Sequence, residues 1–437
     1  MKVIVIGAGL AGCEAALQLA KRGIDVDLYE MRPQKTTGAH STKNLAEFVC
    51  SNSLGSLEPT NASGLLKKEM SLLGSYLIEI AKESQVPAGN ALAIDRELFS
   101  QKVEELIKST GKINIVRQEI TKIPENTPVI LASGPLTSDA LAEDIKKFTG
   151  AEHLHFFDAI APIVEKDSIN FDKAFYASRY DKGEASYINC PMNKEEYEKF
   201  YNILINAPKI ELKEFEKNAK FFESCLPIEV LASRGVDTLR YGPMKPVGLV
   251  DKRTGTENYA VVQLRQDNKS ATMYNLVGFQ TNLKWNSQKE LLNAIPGLEN
   301  ANILRYGVMH RNTFINSPEI LDPTLQCRQR KDLFVAGQLT GTEGYTESIA
   351  SGMLAGINMA KYLNNETLLE LSKVTMLGAL THYISDPDQK HFQPINSNWG
   401  IVEELVADKK IKKNKKLKNE MLSNRSIEYM NKLVQNL

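Results

Sequence analysis

The first thirty residues alternate between apolar and glycine-rich segments in an order that predicts a β-α-β unit. Residues 2–6 form a β-branched run with no polar interruption, which is typical of a buried parallel strand. Residues 13–22 have the pattern of a helix, and Gly23 is placed to end it. Residues 25–29 then predict a second strand.

The turn between this strand and this helix matches the pattern G-x-G-x-x-G, formed by Gly7, Ala8, Gly9, Leu10, Ala11 and Gly12. In such a turn the first glycine allows a tight bend, the second lets a pyrophosphate approach the backbone, and the third lets helix and strand pack closely. The helix N-terminus behind it suits an anion. Glu30 lies 18 residues after Gly12 (30 − 12), about where an acid reaches a ribose 2′-hydroxyl. We therefore expect FAD or NAD rather than NADP, with an ordinary glycine turn as the alternative.

Apolar and periodic segments further along the chain predict a second junction of this kind. We expect helices over residues 65–81 and from 95 to about 109, strands over 113–116, 129–134, 259–264 and 273–279, and a charged, mostly helical segment from 197 to about 222. Residues 333–338 predict a buried strand, followed by the glycine-rich residues 339–345 and a helix over 347–363. A second helix N-terminus there could contact the same cofactor. The dinucleotide-binding fold is therefore predicted to be discontinuous, with the middle of the chain inserted.

Length and composition are those of an ordinary globular protein without bulk charge. The 437 residues are enough for two or three domains, and 42% are hydrophobic and 24% charged. Fifty-three basic and 53 acidic residues cancel, so a polyanion would have to meet a local basic patch. No apolar run approaches the roughly 20 residues of a membrane span, and the N-terminus is a strand broken by glycines rather than a signal peptide. We expect a cytoplasmic protein that does not enter a membrane.

Five cysteines without a C-x-x-C pair predict reduced thiols, and two of them lie in segments suited to reactivity. Cys50 lies where an apolar run meets a Ser/Asn-rich turn, a place where a helix terminus lowers the pKa of a thiol. An inert, half-buried cysteine is the alternative. The six histidines contain no H-E-x-x-H motif, and surface or core roles fit His153 and His155 better than a metal site.

Two basic segments are candidates for contact with an anion. Cys225 is followed by cations that favour a thiolate and would also suit a phosphate backbone or a carboxylate: Arg234, Arg240, Lys245, Lys252 and Arg253. Seven lysines fall within residues 409–418 and form a basic face. In both segments the alternative is a solvated basic surface.

Several long and idiosyncratic segments, spread over nearly the whole chain, carry a family resemblance. They are residues 7–12 with 29–32, 49–54, 86–89 with 95–96, 134–138, 178–180, 189–192, 225–229 through 242–249, 262–265, and 337–338 through 347–348. On these segments the chain resembles the folate- and FAD-dependent tRNA (uracil-5-)-methyltransferase family, TrmFO, a relative of the larger GidA proteins. The chain departs from the family pattern at Gly55, often arginine, at Ser224, often glycine, and at Trp399, often phenylalanine. None of these removes a thiol or a cofactor glycine, and they leave room for the same chemistry on another RNA.

The resemblance implies an α/β fold of the glutathione-reductase type, with a discontinuous FAD-binding Rossmann-like domain and an inserted α+β domain. It divides the chain into a first FAD-binding part at residues 1–200, an inserted substrate or RNA domain at 201–300, and a second FAD-binding part at 301–437 with basic C-terminal helices. Beyond the glycine turn, the expected cofactor residues are Glu30, Arg32, Gly134, Gly337, Gln338, Gly341, Glu343, Gly344 and Tyr345.

The resemblance also implies a division of the chemistry. Carbon 5 of uracil is a poor nucleophile, and addition of a thiolate to carbon 6 makes it enolate-like. The resemblance assigns that thiolate to Cys225. Methylenetetrahydrofolate donates carbon at the oxidation level of formaldehyde, so reduced flavin, recharged by NADH or NADPH, would carry the carbon and supply the hydride. The other family cysteine matches Cys50, implied near the flavin as the base that removes the carbon 5 proton.

The family's target is uridine 54 in the tRNA T loop, a base that has to be taken out of its stack to react. The same chemistry on a ribosomal RNA uridine is one alternative. A protein that binds RNA or protein and holds FAD without catalysis is the other.

Overall fold

The computed structural model describes residues 2–150, 154–181, 184–210, 226–255, 258–389, 392–408, 411 and 413–435, with the backbone alone described at 154–158, 310 and 311. In chain order its strands are β1 (Lys2–Ile6), β2 (Asp25–Tyr29), β3 (Ser53–Ser56), β4 (Gln85–Val86), β5 (Ala91–Ile94), β6 (Ile113–Val116), β7 (Val129–Leu131), β8 (Leu154–Ala159), β9 (Ile163–Glu165), β10 (Phe175–Ala177), β11 (Tyr187–Met192), β12 (Ala260–Gln266), β13 (Met273–Leu276), β14 (Ile303–Arg305), β15 (Met309–Phe314) and β16 (Leu333–Val335).

The helices in the same ranges are α1 (Leu10–Lys21), α2 (Ala62–Leu73), α3 (Tyr76–Glu83), α4 (Arg96–Ser109), α5 (Asp139–Thr149), α6 (Lys194–Asn206), α7 (Ile228–Ser233), α8 (Thr238–Tyr241), α9 (Trp285–Asn293), α10 (Ser317–Ile320), α11 (Tyr345–Leu363), α12 (Met376–Ile384) and α13 (Lys415–Val434). None of these helices is both long enough and apolar enough to cross a lipid bilayer.

A five-stranded parallel sheet, in the order β16-β7-β1-β2-β6, forms the first half of the fold. The central strand β1 pairs with β2 from Lys2↔Asp25 to Ile6↔Tyr29. Val3 and Val5 are fully buried, as expected for a strand whose two faces are both covered. The predicted β-α-β unit is confirmed, as are the strands near 113–116 and 129–134. Strand β7 ends early, at Leu131, because the chain turns and reaches a left-handed conformation at Gly134 (φ +72°).

The edge strand of this sheet comes from a distant part of the chain. Strand β16 pairs with β7 in parallel, and the helix that follows it, α11, packs along α1. The two helices approach closely because α11 carries glycine at the contact. A Cβ added at Gly352 would lie 2.2 Å from the carbonyl oxygen of Ala11, and one at Gly356 would lie 2.7 Å from that of Ala15. The predicted discontinuous dinucleotide-binding fold is therefore confirmed.

A six-stranded antiparallel sheet, in the order β10-β11-β12-β13-β9-β14, forms the second half. Its strands span residues 163–305, so they lie on both sides of residue 200. Helix α6 packs on this sheet and buries Tyr197 and Phe200. It ends at Asn206, and residues 211–222 of the longer predicted helix lie outside the described residues. The division of the chain at residues 200 and 300 stays a prediction.

The single helix predicted over residues 65–81 is wrong, since two helices occupy this segment. Helix α2 ends because Gly74 adopts a left-handed conformation (φ +82°). Ser75 then caps α3 by accepting a hydrogen bond from the Ile78 backbone N–H. The buried carboxylate of Glu14 in α1 accepts from the Ser75 hydroxyl and from the Leu77 N–H. The break therefore ties the start of α3 to α1.

The C-terminal helix α13 packs against α2. The fully buried carboxylate of Glu69 accepts hydrogen bonds from the backbone N–H groups of Met376 and Leu377 and from the Ser426 hydroxyl. One acid thus joins α2, α12 and α13, and its burial raises the pKa of Glu69 to about 7. Of the lysines at the start of this helix, Lys413, Lys415 and Lys416 are exposed and Lys418 is partly exposed. Lys409, Lys410 and Lys412 lie outside the described residues.

Candidate functional site

A cavity of about 980 Å³, partly open to solvent, lies at the carboxyl edge of the parallel sheet. The loops that follow β1, β2, β7 and β16 line it, which is where open α/β sheets hold their ligands. Ten of the predicted cofactor residues line this cavity: Gly7, Gly9, Leu10, Ala11, Glu30, Arg32, Gly134, Gly337, Gln338 and Tyr345.

Of the three glycines in the turn after β1, two have no room for a side chain and the third faces open space. Gly7 has a φ of +99°, and a Cβ there would lie 2.5 Å from the Ala132 carbonyl oxygen. A Cβ at Gly12 would lie 1.8 Å from the Gly7 carbonyl oxygen. A Cβ at Gly9 would meet no protein atom within 4 Å. The open space at Gly9 is where the pattern requires a diphosphate to approach the backbone.

Helix α1 begins at Leu10, and no side chain caps its N-terminus. The first N–H groups of a helix have no acceptor within the helix, so they are available to an anion in front of them. Leu10 and Ala11 line the cavity, whereas Ala8 and Gly12 do not. The Ala8 carbonyl instead accepts from the Ala46 N–H at 2.9 Å, which attaches the loop after β2 to the turn.

At the end of β2, the acid predicted to bind a ribose forms a buried ion pair. Arg32, which is 1% exposed, donates from Nε to Glu30 at 2.9 Å and from Nη2 to its other oxygen at 3.1 Å. Its Nη1 donates to Glu47 at 2.6 Å. Glu47 also accepts from the N–H and hydroxyl groups of Ser41 and Thr42. The predicted cofactor residues Glu30 and Arg32 are thus held rigidly in one hydrogen-bonded cluster.

The charges of this cluster determine the protonation of its members. Burial acts to raise the pKa of Glu30, but the hydrogen bonds and charge of Arg32 outweigh it and leave that pKa below its ordinary value. His40, which also lines the cavity, has its pKa lowered to about 4 by burial and then by the positive charge of Arg32. We therefore expect an ionised Glu30 and a neutral His40 near neutral pH.

The loop after β16 forms the opposite end of the cavity. Gly337 has a φ of +79°, and its N–H donates to the Ser351 hydroxyl at 2.9 Å. The amide of Gln338 donates to the carboxylate of Glu343. Three predicted cofactor residues of this loop do not line the cavity: Gly341, Glu343 and Gly344.

Two glycines of the loop instead have conformations that a side chain would obstruct. Gly341 (φ +83°) lies against the ring of Phe392, so that a Cβ there would be 2.5 Å from a ring carbon. Gly344 (φ +114°) faces Glu347, whose carboxylate oxygen would lie 2.3 Å from an added Cβ. These residues shape the loop that positions Gly337 and Gln338. Their assignment as cofactor contacts stays a prediction.

Cys50 lies beside this end of the cavity and is partly exposed. Its backbone N–H donates to the hydroxyl of Tyr345 at 2.7 Å, and its carbonyl accepts from Arg96 at 3.2 Å. Burial, and after it the proximity of Cys50, raises the pKa of Tyr345 well above its ordinary value, so the phenol stays protonated. Tyr345 and Val49 line the first cavity, so Cys50 is held at its edge.

A second cavity, of about 380 Å³, has Cys50 in its wall. Its wall combines residues from the Cys50 loop with residues from the antiparallel sheet: Cys50, Ser51, Ala159, Ala161, Arg265, Asn275, Leu276, Val277, Gly278 and Gln280. The structure therefore places Cys50 in the wall of the second cavity, next to Val49 and Tyr345, which line the first. None of these wall residues carries a carboxylate.

Arg265 and Asn275 are polar residues of this wall whose part in a site the sequence analysis missed. Arg265 is 9% exposed and donates to Asn52 Oδ1 at 2.9 Å and to Ser51 Oγ at 2.7 Å. Asn275 is 3% exposed, and its Nδ2 has no hydrogen-bond partner among the described residues. Asn275 carried an available signal, since it is a polar residue in the otherwise apolar strand β13. Arg265 carried a weaker one, because β12 also contains Gln263 and Gln266.

The predicted nucleophile Cys225 lies outside the described residues, so its assignment stays a prediction. Of the other cysteines, Cys13, Cys190 and Cys327 are buried in the core. Burial raises the pKa of Cys13 and of Cys190, which makes both thiols inert at neutral pH. In the described ranges, no three histidine, cysteine or acidic side chains gather as metal ligands.

Several cations predicted to serve Cys225 have partners of their own. The Arg240 guanidinium lies 3.5 Å from the centre of the Tyr259 ring and donates to Asp237 at 2.7 Å. Arg253 pairs with Asp251 at 2.8 Å, and Lys252 pairs with an aspartate at 3.2 Å. These pairs are compatible with the solvated basic loop, the alternative given above. A cluster of cations around Cys225 stays a prediction, because that residue lies outside the described residues.

Comparisons with known proteins agree with this architecture. The family model described as "Glucose inhibited division protein A" matches residues 2–367. A Bacillus velezensis protein, "Methylenetetrahydrofolate--tRNA-(uracil-5-)-methyltransferase TrmFO", is 57% identical over 426 residues, covering 98% of this chain and 97% of that protein. A protein of the same name from Anoxybacillus flavithermus is 56% identical over 440 residues, covering 100% of both chains.

Solved structures of low sequence identity share the fold. Aquifex aeolicus GidA in its form II crystal superposes with a TM-score of 0.71 at 16% identity, covering 99% of this chain and 73% of that one. The form I crystal gives a TM-score of 0.68 at 16% identity, covering 100% of this chain and 78% of that one. These similarities confirm the predicted α/β fold with a discontinuous Rossmann-like domain.

Proposed function

This chain belongs to the Glucose inhibited division protein A family and, within it, to the TrmFO group that the sequence resembles, and from this premise we propose that it methylates carbon 5 of a uridine in tRNA. We propose FAD as its bound cofactor, methylenetetrahydrofolate as the carbon donor and NADH or NADPH as the reductant. The relatives are named for this reaction, and the chain matches them over nearly their full length, which supports the proposal.

The single observation that carries the proposal is the position of Cys50, which lines one cavity and lies next to Val49 and Tyr345, which line the other. The larger cavity has the glycine turn, the helix N-terminus and the strand-end acid that a dinucleotide requires. The smaller one has Cys50 and several polar side chains on its wall. The proposed reaction needs one compartment for the flavin and one for the nucleobase, close enough for the carbon to pass from the flavin to the base.

The open space at Gly9 and the free N–H groups of α1 fit the FAD diphosphate. Glu30 would hold the ribose, and Arg32 would fix the orientation of the Glu30 carboxylate. The loop of Gly337 and Gln338, with Tyr345 beside it, would hold the ring system at the end near Cys50. When bound and reduced by a nicotinamide nucleotide, FAD supplies the two electrons that convert a methylene carbon into a methyl group.

Cys225 is proposed as the thiolate that adds to carbon 6 of the uracil. Chain connectivity supports this assignment, because the Ile228 N–H donates to the Gln280 carbonyl at 2.7 Å, and Gln280 lines the smaller cavity. Three residues of extended chain span at most about 11 Å, so this tether to the cavity wall is short. Cys50 is proposed as the base that removes the carbon 5 proton, since it is the partly exposed thiol at the junction.

The finer parts of the proposal follow the family pattern. The target is uridine 54 of the T loop, which must leave its stack to reach a cavity. The RNA would contact residues 201–300 and the basic C-terminal helices, with the two FAD-binding parts at 1–200 and 301–437. The reaction takes place in the cytoplasm, where thiols stay reduced.

The test uses purified protein with NADH, methylenetetrahydrofolate and an unmodified tRNA transcript, and detects 5-methyluridine by mass spectrometry. Cys225→Ala should abolish the product, whereas Cys327→Ala, in the core and outside both cavity walls, should keep it. Full activity of Cys225→Ala would refute the nucleophile. Methylation of a ribosomal RNA fragment instead of tRNA would move the target, and a flavin that NADH does not reduce would indicate a non-catalytic scaffold.

A further inference from the structure

We propose that the smaller cavity is the uracil pocket, in which Asn275 donates a hydrogen bond to a uracil carbonyl oxygen and Arg265 stabilises the negative charge that forms there. The inference rests on the proposed function and adds the residues that recognise the base. Neither residue belongs to the glycine, acid or cysteine positions expected from the sequence.

The amide of Asn275 points to a ligand with an acceptor. The residue lies on β13 between Tyr274 and Leu276, is 3% exposed, and lines the cavity. Its Nδ2 has no acceptor among the described residues. Buried donors are nearly always paired in folded proteins, so an unpaired donor on a residue that lines a cavity needs an explanation, and a polar group of a bound ligand would supply one.

The charge of Arg265 leads to the same conclusion. Its guanidinium is buried, donates to the neutral oxygens of Asn52 and Ser51, and also has the Tyr187 side chain as a hydrogen-bond partner. The nearby carboxylate of Asp267 pairs with Arg96 at 3.1 Å. No described carboxylate is in ion-pair contact with Arg265. A buried cation without an anionic partner is costly, and it becomes favourable when a ligand brings negative charge.

The chemistry of the wall favours uracil over the pterin ring of the folate. A pterin presents an amino group and a ring N–H side by side, and these donors call for a carboxylate. The described residues of the cavity wall contain none. Uracil presents two carbonyl oxygens, which match the free Asn275 donor and the positive charge of Arg265. Cys50 on the same wall would lie next to the ring.

The reaction explains why a cation is useful at this point. When a thiolate adds to carbon 6, the sulfur–carbon bond forms and the carbon 5–carbon 6 π pair moves toward carbon 4. The carbonyl π pair then rests on oxygen 4 as an enolate, with no leaving group and no change of oxidation state. A donor and a cation already placed at that oxygen lower the energy of this anion without rearranging during the reaction.

The decisive experiment measures single-turnover methylation of tRNA by the FAD-loaded protein. Asn275→Ala should lower the methyl-transfer rate by about 100-fold, the usual effect of removing one donor to a developing oxyanion. FAD content and the KM for methylenetetrahydrofolate should stay unchanged. Asn268→Ala is the matched control: it removes an asparagine from the hairpin between β12 and β13 but not from the cavity wall, and it should keep the wild-type rate.

Three further variants test recognition rather than folding. Asn275→Asp replaces a donor with an acceptor, so it should lose activity on uridine and exceed the wild type on a tRNA with cytidine at the target position, whose exocyclic amine donates. Arg265→Gln should be slower than Arg265→Lys, because lysine restores the charge.

Each outcome has a distinct meaning. A wild-type protein that makes no 5-methyluridine refutes the proposed function and this inference with it. An active wild type with an equally active, FAD-loaded Asn275→Ala refutes the uracil pocket alone. A rise in the folate KM with an unchanged affinity for RNA would assign the cavity to the pterin and would also overturn the proposal.

Discussion

In the glycine turn, alanine substitutions at Gly9 and Gly12 should have different effects: the first on FAD binding and the second on folding stability. Gly9 has φ −75° and ψ −167°, which alanine adopts without strain, and a Cβ there meets no protein atom within 4 Å. Gly9→Ala should therefore leave the stability of the apoprotein within about 0.5 kcal/mol of the wild type. The new methyl group, however, occupies the space where the FAD diphosphate is proposed to approach the backbone.

The expected loss follows from the hydrogen bonds that this approach allows. A hydrogen bond from a backbone N–H to a charged phosphate contributes about 1.5–3 kcal/mol. Losing one weakens FAD binding by about 10- to 150-fold, since 1.4 kcal/mol corresponds to a factor of ten. Gly12→Ala differs, because its Cβ would lie 1.8 Å from the Gly7 carbonyl oxygen. Forcing strand and helix apart should cost about 1–3 kcal/mol of folding stability.

The assay compares the thermal unfolding of the apoproteins with FAD titrations that follow flavin fluorescence. Gly38→Ala is the matched control, because Gly38 also has open space around its Cβ position, yet it does not line the cavity. We expect Gly9→Ala to fold normally and bind FAD weakly. Gly38→Ala should keep both the wild-type stability and the wild-type affinity for FAD. Wild-type FAD affinity in a folded Gly9→Ala protein would show that the diphosphate does not lie at this turn.

The remaining predictions concern pH and RNA. The pKa of His40 falls from 6.5 to about 4 on folding, so the unfolded chain binds more protons between these values and stability decreases as the pH drops through this window. Over this window the shift lowers the free energy of unfolding by about 3 kcal/mol in total. Chemical denaturation of His40→Asn should therefore show a smaller loss of unfolding free energy between pH 6.5 and 4 than the wild type. The same pH dependence in both proteins would contradict the prediction. Replacing Lys413, Lys415 and Lys416 by glutamine should weaken tRNA binding and flatten its salt dependence by about 0.7–0.9 for each lost phosphate contact. Replacing Lys108 and Lys112, each already paired with an acid, should leave the salt slope unchanged, and equal slopes in both variants would exclude the basic tail as an RNA contact.

The sequence was informative wherever structure depends on local order. The β-α-β unit and its glycines were predictable because the periodicities of strand and helix, and the spacing from Gly12 to Glu30, are properties of thirty consecutive residues. The interruption at Gly74 and Ser75 was missed because apolar periodicity continues across it. The signal was in the two residues themselves: Gly74 favours the left-handed conformation that ends a helix, and Ser75 favours the N-cap of the next one.

The side chains around the second cavity could not be predicted in the same way. Asn275 is an ordinary residue of a short strand until β13 pairs with β12 and β9, which places it against a loop more than two hundred residues earlier. Likewise, Glu30 was predicted as a ribose ligand, but its pairing with Arg32 and the link to Glu47 depend on how the following loop folds back. Such contacts are set by tertiary packing rather than by local pattern.

The hydrogen bonds of Asn52 explain how the two halves of the molecule hold Cys50 in place. Asn52 donates to the Ile94 carbonyl on the FAD-binding side and to the Gln266 carbonyl of the antiparallel sheet, both at 2.9 Å. Its side-chain oxygen accepts from Arg265. A relative movement of the two halves would therefore break bonds two residues from the thiol. Since a misplacement of about 1 Å can cost a hundredfold in rate, the link between the halves is itself part of what positions Cys50 beside the two cavities.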